Sequence, residues 1–513
     1  MNHRTTNNLR ANFDICIIGG GVNGAGIARD AVGRGLSTLL LEKGDLANAT
    51  SSMSSKMIHG GLRYLEYYEF GLVRSALKER NVLLNIAPHI VSPMRFIMPH
   101  EPYLRPAWLI RIGLLMYDFL AIRHKRLKRS FGFKLKDSVY TQALGGQYTK
   151  AFSYSDCWVD DSRLVVLNAV DAAKRGAHIR PHHECVSAVR KGGRWLVTVR
   201  DNLTNTEYCV TTKMVVNAAG PWVRKVLDHN QLADEETLNV RLVKGSHIIV
   251  DKFYEGDHGY LLQQPDGRVI FLWPYEGRYT LIGTTEEAHE GDPKEATISG
   301  AEIDYLCAAV NRSFRQSVGP DDIKWSYSGV RPLLDDGADD AKAVTRDYKL
   351  ELDDEGAPLL SIFGGKLTTY RALSEKAVAK IFDALGLEDD KGAWTHKAPL
   401  PGGQMPQRDF DQFIVSQSKK FPWVPDDLLL RYAKAYGTNM DQILQHGDSL
   451  LGLGVHYGEG VYEKELVYMI KQEMARGLED ILWRRSKLGV HIGEETQQNI
   501  ANDLPRLFAE VLG

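Results

Sequence analysis

Three glycines, Gly19, Gly21 and Gly24, carry the clearest chemistry in this chain by their type and spacing. They follow an apolar run, Ile15 to Ile18, and lead into a stretch of small residues, VNGAGIARDA. A second apolar run, Leu39 to Leu41, ends in Glu42. That order spells a strand, a tight turn, a helix and a strand. Gly19 permits the sharp turn, Gly21 leaves the backbone open to a pyrophosphate, and Gly24 lets the helix lie close to the strand. Phosphates at the turn meet free N–H groups and the positive end of the helix dipole. Glu42, at the tip of the second strand, can bond both ribose hydroxyls and would repel a 2′-phosphate. The unit predicts a site for the ADP half of a dinucleotide, not NADP, and its place near the amino end suits FAD.

Other segments carry groups that could finish such a site. KGDLANATSSMSSKMIHGGLRYLE, after Glu42, offers the hydroxyls of Ser51, Ser52 and Ser54, His59, and the Gly60-Gly61 pair. VVNAAGPW ends a buried strand in Ala219 and Gly220, small enough for a cofactor to pass. FGGKLTTYR sets a Gly-Gly turn before a helix expected to begin near Leu367. Amides at Gly365, Lys366, Leu367 and Thr368, with the Lys366 charge, could face a ring that gains negative charge on reduction. Arg63-Tyr64, Arg331 in YSGVRPL and Arg346 in VTRDY put guanidinium groups beside aromatics or proline. Several such groups together would bind a dianionic phosphate. His247, in VKGSHIIV, fits either a packed strand histidine or a base. His182-His183-Glu184 are consecutive and point to opposite strand faces, so no metal site is expected.

These groups must be held by the rest of the chain. Its 513 residues imply two to four domains. An apolar content of 43%, a charged content of 25% and a net charge of -2 suit a soluble globular protein without a pull toward nucleic acid. Five cysteines, Cys16, Cys157, Cys185, Cys209 and Cys307, form no C-x-x-C pair and predict free thiols in a reducing compartment. Met1 to Asn12 lacks the apolar core of a signal peptide. The longest apolar stretch, Ala107 to Ile122, is broken by Arg111 and Asp118 and falls short of the ~20 residues that span a bilayer. It feeds a basic loop, residues 123–136, with Arg123, Lys125, Arg126, Lys128, Arg129, Lys134 and Lys136 around Phe131 and Phe133. That pattern fits a solvated loop or contact with anionic lipid.

The pattern predicts an α/β fold with a discontinuous Rossmann-like FAD-binding domain (13–90, 150–235 and 335–388). A mixed or antiparallel-sheet substrate domain (91–149 and 236–334) and an all-helical C-terminal domain (389–513) complete it. Val189 to Val210 reads as an antiparallel meander and Met214 to Ala219 as a buried strand. PLLSIF, residues 358–363, reads as another.

Taken in order, GGGVNGAGIARDA, ATSSMSSKMIHGGLRYLE, SYSDCWVDD, NAAGPW, KGSHIIV, GTTE, YSGVRPL, TRDY and FGGKLTTYR resemble the FAD-dependent glycerol-3-phosphate dehydrogenases of aerobic bacterial respiration. The resemblance spans most of residues 13 to 400. It implies oxidation of sn-glycerol 3-phosphate to dihydroxyacetone phosphate, with electrons passed through FAD to a membrane quinone. It implies a cytoplasmic enzyme held peripherally on the inner face of the cell membrane through anionic lipid, with a homodimer left open. By motif, His247, Arg331 and Lys366 look catalytic, and Arg63, Tyr64 and Arg346 look like the substrate pocket. Asn23 joins the glycines as a cofactor contact. His247 would take the C2 hydroxyl proton; alternatively, Arg331 or Lys366 would polarise the hydroxyl with solvent as base. The basic loop after Ile122 departs from the family pattern. An oxidase that makes peroxide from oxygen, and an amine or amino-acid oxidase of the same fold, remain as alternatives.

Overall fold

The computed structural model describes residues 12–334 and 348–513, apart from 137, 235–236 and 446. Strand β1 (Asn12–Ile18) runs parallel to β2 (Thr38–Glu42) on one side and to β3 (Thr206–Asn217) on the other. Leu359–Phe363 extends this sheet beyond β3, and His178–Pro181 beyond β2, both in parallel. Side chains alternate across it, as the period of two demands. Ile15, Ile17 and Leu40 pack with helix α1 (Val22–Arg34) and with the helices Asp161–Lys174 and Tyr370–Leu385. Cys16, Leu39 and Leu41 face the other way, onto Trp195, Val197 and Val199 of an antiparallel meander. A parallel sheet covered on both faces reads as continuous apolar runs, which is why its strands were visible in the sequence.

The second sheet is built on Val240–Asp251, which pairs antiparallel with Ile323–Leu334 and with Tyr279–Gly283. It continues through Val269–Tyr275, Gly259–Gln263 and Val91–His100 to Lys150–Val159. The capped helix Gly300–Ser313 buries Leu306 and Val310 against Ile248 and Val250 on one face. The opposite face carries Ile249 and Tyr327 and turns toward the first sheet's glycine turn.

Residues 150–159, expected in the cofactor domain, are instead a strand of the second sheet, paired along their length with Val91–His100. Met57–Ile58 pairs with them too. The partner lies some 60 positions away, and a local pattern cannot name it.

Beyond residue 400, the helices Phe410–Lys420, Asp426–Tyr436, Glu463–Gln472 and Glu494–Leu512 form their own core around Tyr432, Leu466, Met469, Ile500 and Leu507. A short hairpin, His456–Gly458 with Val461–Tyr462, interrupts what was expected to be all helical. Two buried ion pairs fix this domain to the core. Arg163 meets Glu473, and Arg485 meets Asp45 at 2.6 and 2.7 Å. Among the described residues no helix is long and apolar enough to cross a membrane.

Candidate active site

The glycine turn behaves as its spacing requires. Gly19 has φ +112°, and a Cβ there would lie 2.5 Å from the Ala218 carbonyl oxygen. A Cβ on Gly24 would sit 1.9 Å from the Gly19 oxygen, so α1 can approach β1 only without one. At Gly21 such an atom would meet only the Ser51 hydroxyl, at 3.2 Å, which leaves the backbone approachable. Ser51 accepts from the Val22 N–H at the helix start. Glu42 accepts from the Gly20 and Gly44 N–H groups at 2.6 and 2.8 Å, which fixes the carboxylate at the tip of β2. Burial pushes its pKa up, against those two bonds.

A cavity of about 1980 Å³ opens from this turn. Pockets for drug-sized ligands run to roughly 1,000 Å³, so the space admits a dinucleotide and a substrate together. Gly19, Gly21, Asn23, Glu42, Ser51, Ser54, His59, Gly61, Ala219, Gly220, Gly365, Lys366, Leu367 and Thr368 all line it. Asn23 donates to the Gly364 carbonyl at 3.2 Å, joining α1 to the Gly-Gly turn across 341 positions. Thr368 accepts from the His59 N–H at 3.3 Å. The helix after that turn begins at Tyr370, three residues later than expected, because Thr369 has left helical geometry. The donors, the open backbone and the acidic ribose acceptor fit FAD.

Three of the expected cofactor contacts stand off the cavity. Ser52 turns its hydroxyl to the Ala49 carbonyl and its own carbonyl to Lys56. Gly60 is buried and donates to Tyr117. Gly24 serves the packing of α1 and not the ligand. Arg346 lies outside the described residues.

The second sheet brings His247 and Arg331 to the same cavity, the turn Leu62–Tyr67 brings Arg63 and Tyr64, and the loop after Leu359–Phe363 brings Lys366. His247 sits between Gly283 and Tyr327 in register, and Arg331 is four residues beyond Tyr327 on the same sheet face. The imidazole stacks on Tyr327 at 4.8 Å and 14°. Its Nε2 is 2.9 Å from the Ser55 hydroxyl, and its Nδ1 has no partner among the described residues. Arg331 pairs with Glu286 at 3.2 Å and donates to the Thr285 carbonyl. The Lys366 ammonium lies 4.2 Å over the Tyr64 ring.

Sequence reasoning missed Ser55, Glu286 and the further cavity lining of His183, Arg200, Asn202 and His229, and with them Lys56, which stands behind the lining. Lys56 is buried, pairs with Asp161 at 2.9 Å, and stands 5.1 Å over the far partner of His247, Tyr327. Only its place two residues after Ser54 could have drawn notice. Asp45, His182 and Asp480 also converge, but Arg484 and Arg485 already neutralise both carboxylates.

Burial holds His247 neutral, pushed down to about 3, with Lys56 and Arg331 adding to the shift. His89 is likewise pushed down to about 3, by burial and then by Arg163. The unfolded chain binds both protons near pH 6.5, whereas the native state refuses them until near 3. Stability is therefore full above about pH 6.5 and lost as pH falls, at about 1.4 kcal/mol per unit for each group. Asp30, pushed up to about 6 by burial, and the raised Glu42 and Glu79 gain stability as pH falls and so oppose this loss. The direct check is an NMR titration, in which both imidazoles should stay neutral from about pH 6.5 to about pH 4.5; protonation of either within that range would refute its neutral, buried state.

The comparisons agree with this geometry. Residues 14–371 match the FAD dependent oxidoreductase family, and residues 393–513 match the C-terminal domain of alpha-glycerophosphate oxidase. The chain is 50% identical over 485 residues to the D-erythritol 1-phosphate dehydrogenase of Brucella abortus, covering 94% of this chain and 95% of the relative. It is 47% identical over 497 residues to the glycerol-3-phosphate dehydrogenase of Pseudomonas aeruginosa, covering 96% and 95%. The FAD-complexed glycerol-3-phosphate dehydrogenase of Bacillus halodurans superposes with a TM-score of 0.77 at 27% identity, covering 98% of this chain and 91% of that one. With a family match over most of its length and relatives this similar end to end, the chain belongs to the FAD-dependent oxidoreductases of the glycerol-3-phosphate dehydrogenase family.

Proposed function

We propose that the protein oxidises sn-glycerol 3-phosphate to dihydroxyacetone phosphate and passes the electrons to a membrane quinone. The observation that carries this is a buried neutral imidazole, His247, in one cavity with the cations Arg63, Arg331 and Lys366. Bound FAD supplies the hydride acceptor. Arg331, Arg63 and Lys366 bind the phosphate dianion and orient the carbinol, turning binding energy into position. In this reading His247 takes the C2 hydroxyl proton on Nε2, the ring nitrogen that meets the Ser55 hydroxyl, because Nδ1 is sealed by burial. Stacking on Tyr327 holds the ring in place. The Gly365–Thr368 amides and Lys366 offset negative charge gained across the cavity.

The Brucella abortus relative, named for a four-carbon polyol phosphate, favours a second reading in which D-erythritol 1-phosphate is the better substrate. Both share a terminal phosphate and a neighbouring carbinol. The test is anaerobic: holoenzyme is mixed with each substrate, loss of flavin colour is followed, and kcat/KM is measured with a soluble acceptor. A kcat/KM for D-erythritol 1-phosphate about tenfold or more above that for glycerol 3-phosphate would replace the first reading with the second. Peroxide equal to substrate consumed would replace the quinone with oxygen.

Association with the inner face of the membrane has its own support. Helix α2 (Ala107–Phe119) exposes Trp108, Ile112, Leu115, Met116 and Phe119, spaced to share one face, with Ile122 93% exposed just beyond. Exposed apolar patches of this kind mark binding surfaces. Arg129 stands over Phe119 and Arg95 over exposed Phe131, so the rim is cationic. An anionic lipid surface matches both features. Replacing Trp108 and Phe119 by serine should weaken flotation with phosphatidylglycerol vesicles by at least about tenfold. Unchanged flotation would move the contact elsewhere.

A further inference from the structure

The inner side of α2 is tied to the active-site loop. Leu114 and Tyr117 are the residues this helix buries. The Tyr117 hydroxyl accepts from the Gly60 N–H at 2.7 Å and donates to the Asp156 carboxylate at 2.8 Å. Arg80 donates to the same carboxylate at 2.6 Å. Tyr117, Asp156 and Arg80 are 2%, 1% and 5% exposed, so water does not compete for these bonds. A charge-assisted network of this kind, closed to water, is stiff.

Gly60 begins the turn that presents Arg63 and Tyr64 to the cavity. On its other side, the His59 N–H is held by Thr368, beside Lys366. The loop is thus anchored on two sides. One anchor belongs to the cofactor-binding domain; on the other side the Gly60 N–H is held closely by a hydroxyl, at 2.7 Å, on the helix whose outer face is apolar and exposed, and only loosely by the Asp156 carboxylate at 3.4 Å.

We propose that Tyr117 is a positioning residue for the reaction. Its hydroxyl fixes Gly60, and through it Arg63 and Tyr64, and so transmits the docking of α2 on a lipid surface to the substrate pocket. The coupling rests on the docking reading above; the positioning role does not. Docking restrains α2, Tyr117 holds Gly60 more firmly, and the phosphate-binding groups spend more time in place.

The experiment uses full-length holoenzyme, free and on phosphatidylglycerol vesicles, with a soluble electron acceptor. Wild type is expected to turn over about threefold or more faster when docked, and Tyr117→Phe to lose that gain. In both states Tyr117→Phe should raise KM for the phosphate substrate about tenfold, more than it lowers kcat, with flavin content unchanged. In wild type, hydrogen exchange at the Gly60 amide should slow about tenfold on docking, a readout that needs no variant to fold. Gly60→Ala, whose Cβ would fall 2.6 Å from the Tyr117 oxygen, should reproduce the KM rise. A Tyr117→Phe enzyme with wild-type KM overturns the positioning role. Docked wild type with unchanged turnover and unchanged Gly60 exchange overturns the coupling. Absence of flotation overturns the docking reading and the coupling with it, while the KM of Tyr117→Phe still decides the positioning role.

Discussion

Replacing His247 by asparagine should lower turnover by about 10² or more while FAD stays bound. Asparagine keeps a planar polar group near Ser55 but has no basic ring nitrogen. The cofactor should stay because the glycine turn, Glu42 and the Gly365–Thr368 segment are carried by the first sheet's strands and not by the strand that carries His247. The rate to measure is anaerobic loss of flavin colour on adding substrate. Near-normal bleaching would assign the proton to solvent, with Arg331 or Lys366 polarising the hydroxyl. The pH profile adds a second check. Since burial and the neighbouring Lys56 and Arg331 push His247 down to about 3, it stays neutral across the ordinary imidazole range. The acid limb of kcat/KM in wild type should not centre on this group near pH 6.5.

Asp45→Ala should cost about 3 kcal/mol of stability and weaken FAD binding about tenfold. Asp45 is 1% exposed and takes two bonds from Arg485 and one from Arg484. Removing it leaves guanidinium groups buried together. The loss falls at the low end for a broken buried pair because Arg484 keeps Asp480 at 2.6 Å and Arg485 keeps the Glu473 carbonyl at 2.8 Å. The cofactor feels the change because Asp45 closes the loop that starts at Glu42, and Ala47 in that loop donates to the Gly20 carbonyl. Urea denaturation and flavin fluorescence on heating would read the two effects. Unchanged midpoints and unchanged FAD release would show that the C-terminal domain does not support the ribose loop.

The parts of the fold legible in the sequence are those built from neighbours. Ile15 to Glu42 declared its turn and helix because its apolar runs and glycine spacing are local features of one strand–turn–helix–strand unit, even though Gly19 meets Ala218 and Gly21 meets Ser51. The buried strands at Met214 and Leu359 showed as apolar runs. Lys150–Val159 did not declare its sheet, because its register is set by Val91–His100 and not by its own residues. The site divided in the same way. His247 and Arg331 stood out by residue type, whereas Lys56, Ser55 and Tyr117 matter through partners 105, 192 and 57 positions away. Ser52 was misplaced because a run of serines does not say which hydroxyl turns inward. The rest of the helical tail matched its pattern, but its ion pairs to Arg163 and Asp45 had no local signal.

That last ion pair also sets an order of events during synthesis. Asp45 leaves the ribosome 439 and 440 residues before the two arginines that neutralise it. At roughly 5–20 residues per second the wait is about 20 to 90 seconds. Throughout it, the nascent ribose loop carries a carboxylate that cannot be buried at low cost. The amino-terminal unit can collapse early, yet its nucleotide pocket matures only when nearly the whole polypeptide has emerged. Flavin loading is then expected to follow synthesis, once Arg484 and Arg485 have reached Asp45.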